Sequence, residues 1–278
     1  MKKLWFYILM LIGVLAFAQP GNTVLGPRLP GVIVKDNYQE KVARYEYVRE
    51  ADAAWMKKVW RNVDLREKQN HYMYFPLEEI ISRRSLIQII RSRIAEESLT
   101  AYNSMNDEFT SPMTSSEALA IGTGNEEVTF QTPEGNDTIM SIEIDFDYSS
   151  VTSYRVMEEW YFDKETSYMH VQIIGICPIM DVYDENGELK GKTPMFWLYF
   201  PELRNFLVME ESFNRQNDAE RRSFDHMLVN RKFSSYVIKE SNVYDRNINE
   251  YKQGIDAQLE GRRIHEELRD WEQDLWEY

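Results

Sequence analysis

Chemistry needs nucleophiles, titratable groups or metal ligands at workable spacing, and this sequence is sparing with all three. The four histidines, His71, His170, His226 and His265, are isolated, and none stands at metal-ligand spacing from another histidine or from the single cysteine. His170 falls on the polar side of a predicted strand, where a solvated imidazole is expected. Cys177 falls on the apolar side of the same strand, directly before Pro178. That position predicts a buried, inert thiol, since a reactive one needs an electropositive, accessible setting. The stretch GTGNEE at 122–127 is glycine-rich but lacks the Lys-Ser/Thr of a phosphate loop and opens no apolar helix. In DVYDENGE a valine, Val182, stands five positions before Gly187 where a calcium loop needs an acid. Glu158, Glu159 and Asp163 come nearest to an acid pair, yet Glu158 and Glu159 are strand neighbours and point to opposite faces. No Gly-x-Ser-x-Gly elbow or Ser-His-Asp arrangement is visible. No catalytic, cofactor-binding or metal residue is assigned, and no cofactor is expected. The aromatic content of 13% points instead to core and interface surface.

The elements that would hold such residues read as α+β: a mostly antiparallel central sheet flanked by helices, with a long C-terminal amphipathic helix. Residues 38–69 carry Tyr38, Val42, Tyr45, Ala51, Trp55, Val59 and Val63 at spacings of three and four or their multiples, which predicts a helix. A second helix runs through Leu86, Ile90 and Ile94. Residues 103–127, polar and rich in Ser, Thr, Gly and Asn, predict a long, mobile connection. Strands dominate the middle. Met140, Ile142, Ile144 and Phe146 alternate with polar residues; Tyr154, Val156, Trp160 and Phe162 share one side of the next strand; Met169, Val171, Ile173 and Cys177 share one side of the third. Asn186-Gly187 signals a hairpin.

The strand after that hairpin, TPMFWLYF, is apolar on both faces and has strand length. It predicts a central strand covered on both sides, by helices or by a helix and another subunit. Helices return beyond Pro201, one capped by Asn217 or Asp218 and running through Phe224, Met227 and Leu228. The last runs from Ile248 to Leu275, with Gly254 and Gly261 as weak points costing ~1 kcal/mol each. Trp271 and Trp276 predict docking of this terminus. YMYFPLEEI at 72–80 and WLYFPELRNF at 197–206 echo each other, either as a common strand-Pro-helix joint or as a remnant of duplication.

Residues 1–18 have the parts of a secretory leader: Lys2 and Lys3, an apolar core from Leu4 to Leu15, and Ala16-Phe17-Ala18 before the expected cut. Gln19 would then begin an exported mature chain, and no cysteine stands there to carry a lipid. Residues 19–37, with three prolines, read as an extended arm; Val32-Ile33-Val34 would suit pairing with a sheet edge, and a partly disordered terminus fits as well. A single α+β domain from 38 to 278 is expected. The formal net charge is −14, and the leader's only charges are its two lysines, so the mature chain is more acidic still. That balance argues against a nucleic-acid partner, which is bound through clustered cations. One cysteine allows no internal disulfide, and no later segment approaches the ~20 apolar residues that span a bilayer.

Several long runs together resemble one family. WMKKVWRNVDLREKQN (55–70), YFPLEEI (74–80), IIGICPIMDVYDENGELKGKTPMFWLYFPELR (173–204), FSSYVIKESNVYDR (233–246) and the terminal DLWEY are similar to GldN, also called PorN. The family is known from gliding motility and type IX secretion in Gram-negative bacteria. The resemblance covers nearly all of the expected mature chain and is weakest in the arm and at 103–127. It implies a non-enzymatic, periplasmic structural protein that forms large rings at the inner side of the outer membrane. The implied partners are a GldK/PorK-type lipoprotein, other copies of the chain, and the periplasmic part of a GldM/PorM-type motor protein. The family carries no catalytic residues to transfer. Two other classes stay open from the residues: a periplasmic protein binding glycans or peptides through exposed aromatics, and a hydrolase with an unrecognised acid pair.

Overall fold

Period-two alternation assembles the sheet. The computed structural model describes residues 41–274 other than 46, 79, 81–82, 132–136, 185–186, 215–216 and 218, with the backbone alone described at 124–144 and 272. β6 (Val151–Asp163) and β7 (Tyr168–Tyr183) form the longest pair, from Val151 opposite Met180 to Asp163 opposite Tyr168. β1 (Ala53–Asp64) flanks β6, and β12 (Tyr236–Glu240) lies beyond β1 as an edge. On the other side of β7 come β9 (Phe196–Tyr199), β2 (Ala101–Asn103) and β3 (Pro112–Met113). β8 (Leu189–Pro194) pairs with the C-terminal part of β7 through a hairpin in which Gly187 takes φ +78°. The pairs are antiparallel, so the molecule is α+β with an eight-stranded antiparallel sheet. Two short ladders stand apart from it: β4 (Gly124–Gln131) with β5 (Asp137–Ile144), and β10 (Glu211–Ser212) with β11 (Arg222–Ser223).

The apolar run at 195–200 is an interior strand, since β9 lies between β7 and β2. Met195, Phe196, Trp197, Leu198 and Phe200 are all buried, and Tyr199 is half-buried. Phe196 and Leu198 enter the main core, formed with α2 (Leu86–Ala95), α4 (Phe200–Leu207) and α5 (Phe224–Val229). Trp197 points the other way and packs with Trp60, Met157 and Cys177. The long helix α6 (Ile255–Asp274) closes the β1–β12 end, setting Ala257, Ile264 and Leu268 on Val59, Trp160 and Val237. Its Gly261 has a positive use: a Cβ there would lie 2.6 Å from the Val237 carbonyl oxygen, so the glycine lets the helix cross the strand closely. Trp271 stacks on Trp55 with ring centroids 4.7 Å apart, as a docking residue should.

The structure corrects several expectations. Residues 53–64 are strand β1 rather than part of a helix. Trp55, Val59 and Val63 are four apart, a spacing that suits a strand face as well, and Arg61, charged but buried on the same face, hid the alternation. Cys177 does not share a face with Met169, Val171 and Ile173: the register shifts between Met157 and Glu158, and this bulge turns Cys177 to the opposite side. The stretch 103–127 contains β3, the start of β4 and helix α3 (Ser115–Ala120). Thr114 and Glu117 cap α3 reciprocally, at 3.3 and 2.9 Å. The same stretch sets Phe109 over Gly175, whose missing side chain leaves the room. Ser223, not Asn217 or Asp218, caps α5, accepting from the His226 N–H at 3.1 Å. A 3₁₀ turn at Ile248–Glu250 and Gly254 at φ +58° precede α6, so the helix begins at Ile255. The leader, the arm with Val32–Val34, Asn186, Asp218, Leu275 and Trp276 lie outside the described residues.

Candidate functional site

The residues singled out for chemistry fall into structural settings. Cys177 is fully buried, and that burial pushes its thiol up to about 12, far from a reactive thiolate. His170 stacks on Tyr161, with centroids 5.4 Å apart, and shares a 3.1 Å hydrogen bond with Thr166. Glu158 and Glu159 do point to opposite faces, and Glu158 has 0% exposure. Among the described residues no group of three or more His, Cys, Asp and Glu is placed to hold a metal ion.

Glu158 is nonetheless the centre of something. Its Oε2 accepts from Arg61 Nε at 2.9 Å and from Trp160 Nε1 at 3.1 Å, while Arg231 Nη2 lies 3.2 Å from Oε1. Arg61 also donates to His265 Nδ1 on α6 at 2.9 Å. Burial first, and the Arg61 guanidinium next, hold the His265 imidazole below its usual range. One buried carboxylate thus faces two guanidiniums, leaving net positive charge beneath α6 and the end of α5. Such a carboxylate binds strands to helices; it is not an acid or base that a substrate in solvent can reach.

Arg231 carries that charge to the surface. At the end of α5 the N–H of Arg231 bonds the Leu228 carbonyl at 3.0 Å and that of Lys232 bonds Met227 at 2.9 Å, the pattern of a Schellman close. The position calls for left-handed backbone, and Arg231 adopts φ +52° there although it is not glycine. The strain is offset by where the side chain goes, inward to Glu158 and over the Trp160 ring at 4.9 Å.

Arg231 lines a cleft of about 1640 Å³ between α1 (His71–Tyr74), the turn at 75–78, the β10–β11 ladder and α5. Lys68, Arg83, Arg222 and Lys232 line it as well, with Glu78 the one acid among the described residues. Arg222 is held by Glu220 at 2.6 Å, whereas Lys68, Arg83 and Lys232 have no carboxylate partner among the described residues. Phe75 and Phe213 expose 49% and 43% of their surface at this cleft, and the Arg83 guanidinium sits 4.8 Å from the Phe213 ring centre. The groove is thus basic and aromatic on an acidic chain, and its charge is complementary to that of acidic groups. None of these cations was singled out in the sequence. The signal was present as three separate basic pairs, Arg83-Arg84, Arg221-Arg222 and Arg231-Lys232, which only the fold brings near one another.

Comparison with known families gives a match to the gliding motility associated protein GldN over residues 48–277. The chain belongs to the GldN family. A comparison with curated proteins finds no match. The GldN match begins before β1 and runs through α6, so the sheet, the Glu158 cluster and the groove all lie within it. Membership makes this a gliding-motility-associated protein. No helix among the described residues is long and apolar enough to cross a membrane.

Proposed function

We propose that this protein is a non-enzymatic structural component of a periplasmic ring of the type IX secretion and gliding machinery. The ring lies at the inner side of the outer membrane. The GldN family match over residues 48–277 is the observation that carries the proposal. In this reading residues 1–18 are a leader removed after Ala18, residues 19–37 an extended arm, and residues 38–278 one α+β domain. Mature protomers bind a GldK/PorK-type outer-membrane lipoprotein, one another, and the periplasmic part of a GldM/PorM-type motor protein. They thereby connect translocon to motor. The inert setting of Cys177, the sequestered Glu158 and the acid-seeking groove support a scaffold over a hydrolase. Trp60, Trp160 and Trp197 are buried, which takes these large aromatics away from a glycan platform. Fractionation of cells with and without the lipoprotein partner tests the reading. The mature chain, starting at Gln19, should sediment with the outer membrane only when the lipoprotein is present. A chain that keeps Met1, or stays soluble in both strains, contradicts it.

A further inference from the structure

The groove's cations need a counterpart, and the chain's own last residues have its chemistry. Residues 272–278, Glu-Gln-Asp-Leu-Trp-Glu-Tyr, hold three carboxylates, two aromatic rings and no cation. We propose that the groove receives this segment from a second copy of the chain, in a head-to-tail contact. The proposal deepens the scaffold reading above and rests on it.

The two surfaces are complementary in charge. Lys68 and Arg83 are exposed on the groove and have no carboxylate partner among the described residues, so an incoming Glu272, Asp274 or Glu277 displaces no ion pair described there. They are complementary in aromatic surface as well. Phe213 is exposed beside the Arg83 guanidinium, and Phe75 is half exposed on the same cleft next to His71 and Tyr74, a setting that takes another ring by stacking and cation–π contact. Trp276 and Tyr278 supply such rings, whereas a purely acidic partner would leave both phenylalanines in water.

The course of α6 makes the contact intermolecular. α6 passes Val237, opposite Arg61, at Gly261 and reaches Trp55 at Trp271, so it runs back along β1 toward that strand's beginning. Lys68 and His71 of the groove follow the other end of β1. From Trp55 to Asp64 the strand spans ~30 Å. The four residues from Asp274 to Tyr278 reach ~14 Å at full extension. A copy therefore cannot fill the Lys68 end of its own groove. A contact between two different surfaces of identical copies is heterologous, and repetition of it closes a ring or extends a filament.

Fluorescence anisotropy tests the contact, with a labelled peptide of residues 272–278 and the full mature chain. Saturable binding is expected, weakened at least tenfold by Lys68→Glu with Arg83→Glu, and at least tenfold by Trp276→Ala in the peptide. An unchanged melting temperature checks that the doubly reversed chain is folded. If reversal instead unfolds it, Phe75→Ser serves in its place, with the same loss of binding expected. No saturable binding overturns the proposal. So does equal binding of a peptide of the same charge built from glutamate and glycine, or binding untouched by the groove variants. The mass of particles co-purified with the lipoprotein separates this from the wider reading. Large assemblies without peptide binding reject the tail contact and leave the scaffold standing. Peptide binding by a wild-type chain that never assembles supports the contact and contradicts the scaffold.

Discussion

Tyr-Phe-Pro occurs twice in this molecule with opposite fates. At 199–201 it leads from β9 into α4; Phe200 is fully buried, and Pro201 occupies the first helical turn, where a missing N–H leaves no bond unmade. At 74–76 it ends the short α1; Phe75 is half exposed on the groove, and its bond to Pro76 is cis. The neighbours decide. Met195 to Leu198 supply a strand before the second copy, and Leu203 and Leu207, four apart, bury a helix face after it. The first copy follows helix α1 rather than a strand, and among the described residues the next helix begins only at Leu86. The echo is thus not one shared strand-Pro-helix joint. The same phenylalanine is core in one place and lies half exposed on the cleft in the other.

The contrast can be broken by exchange of effects. Phe200→Ala, and Trp197→Ala on the opposite face of the same run, should each cost ~3–5 kcal/mol in denaturant unfolding and leave little folded protein. A stable Trp197→Ala chain that fails to assemble would move that tryptophan from core to interface. Gly261→Ala comes next. Helix propensity alone favours alanine by ~1 kcal/mol, but the clash with the Val237 carbonyl should reverse the sign and give a net loss of ~1–3 kcal/mol. A more stable variant would mean that α6 does not approach β12 as closely as described.

The Glu260 clamp is a subtler contact of the same helix. Hydrogen bonds from Arg263 and then Lys252 hold the Glu260 carboxyl down to about 2, from an ordinary 4.5. A folded-state value below the unfolded one contributes stability that is present above about 4.5 and lost as pH falls toward 2. The melting temperatures of wild type and Glu260→Gln should therefore differ at neutral pH and converge through that window. A difference that persists at pH 2 rejects the clamp. Phe75→Ala is expected to have the smallest effect on stability, within ~0.5 kcal/mol, because its ring is on the surface. A loss as large as that of Phe200→Ala would erase the distinction between the two copies.

How far the sequence could be read follows from which forces act locally. β5, β6 and β7 were legible because their apolar residues alternate, β9 because an unbroken apolar run of strand length follows a hairpin signal, and α2 because Leu86, Ile90 and Ile94 repeat at helical spacing. β1 was not, since Arg61 sits on its buried face, where partners such as Glu158, 97 positions away, accommodate it. The face of Cys177 was missed because a bulge adds one residue without any sequence mark. Helix α3 and the placement of Phe109 were missed in a stretch whose polar composition reads as loop, although Thr114 and Glu117 stand at capping-box spacing. The groove was illegible for the same reason as β1: its cations come from four distant segments, and a pair such as Arg83-Arg84 looks like any solvated pair until the fold gathers the others.

The central claim, that this GldN-family chain is a scaffold and not a catalyst or a lone binder, meets its most direct test in particle mass. Mature chain co-expressed and co-purified with its outer-membrane lipoprotein can be weighed particle by particle and imaged. Closed assemblies holding many copies of both proteins are the predicted result. A uniform population of free protomers, or of single one-to-one pairs, would contradict the claim.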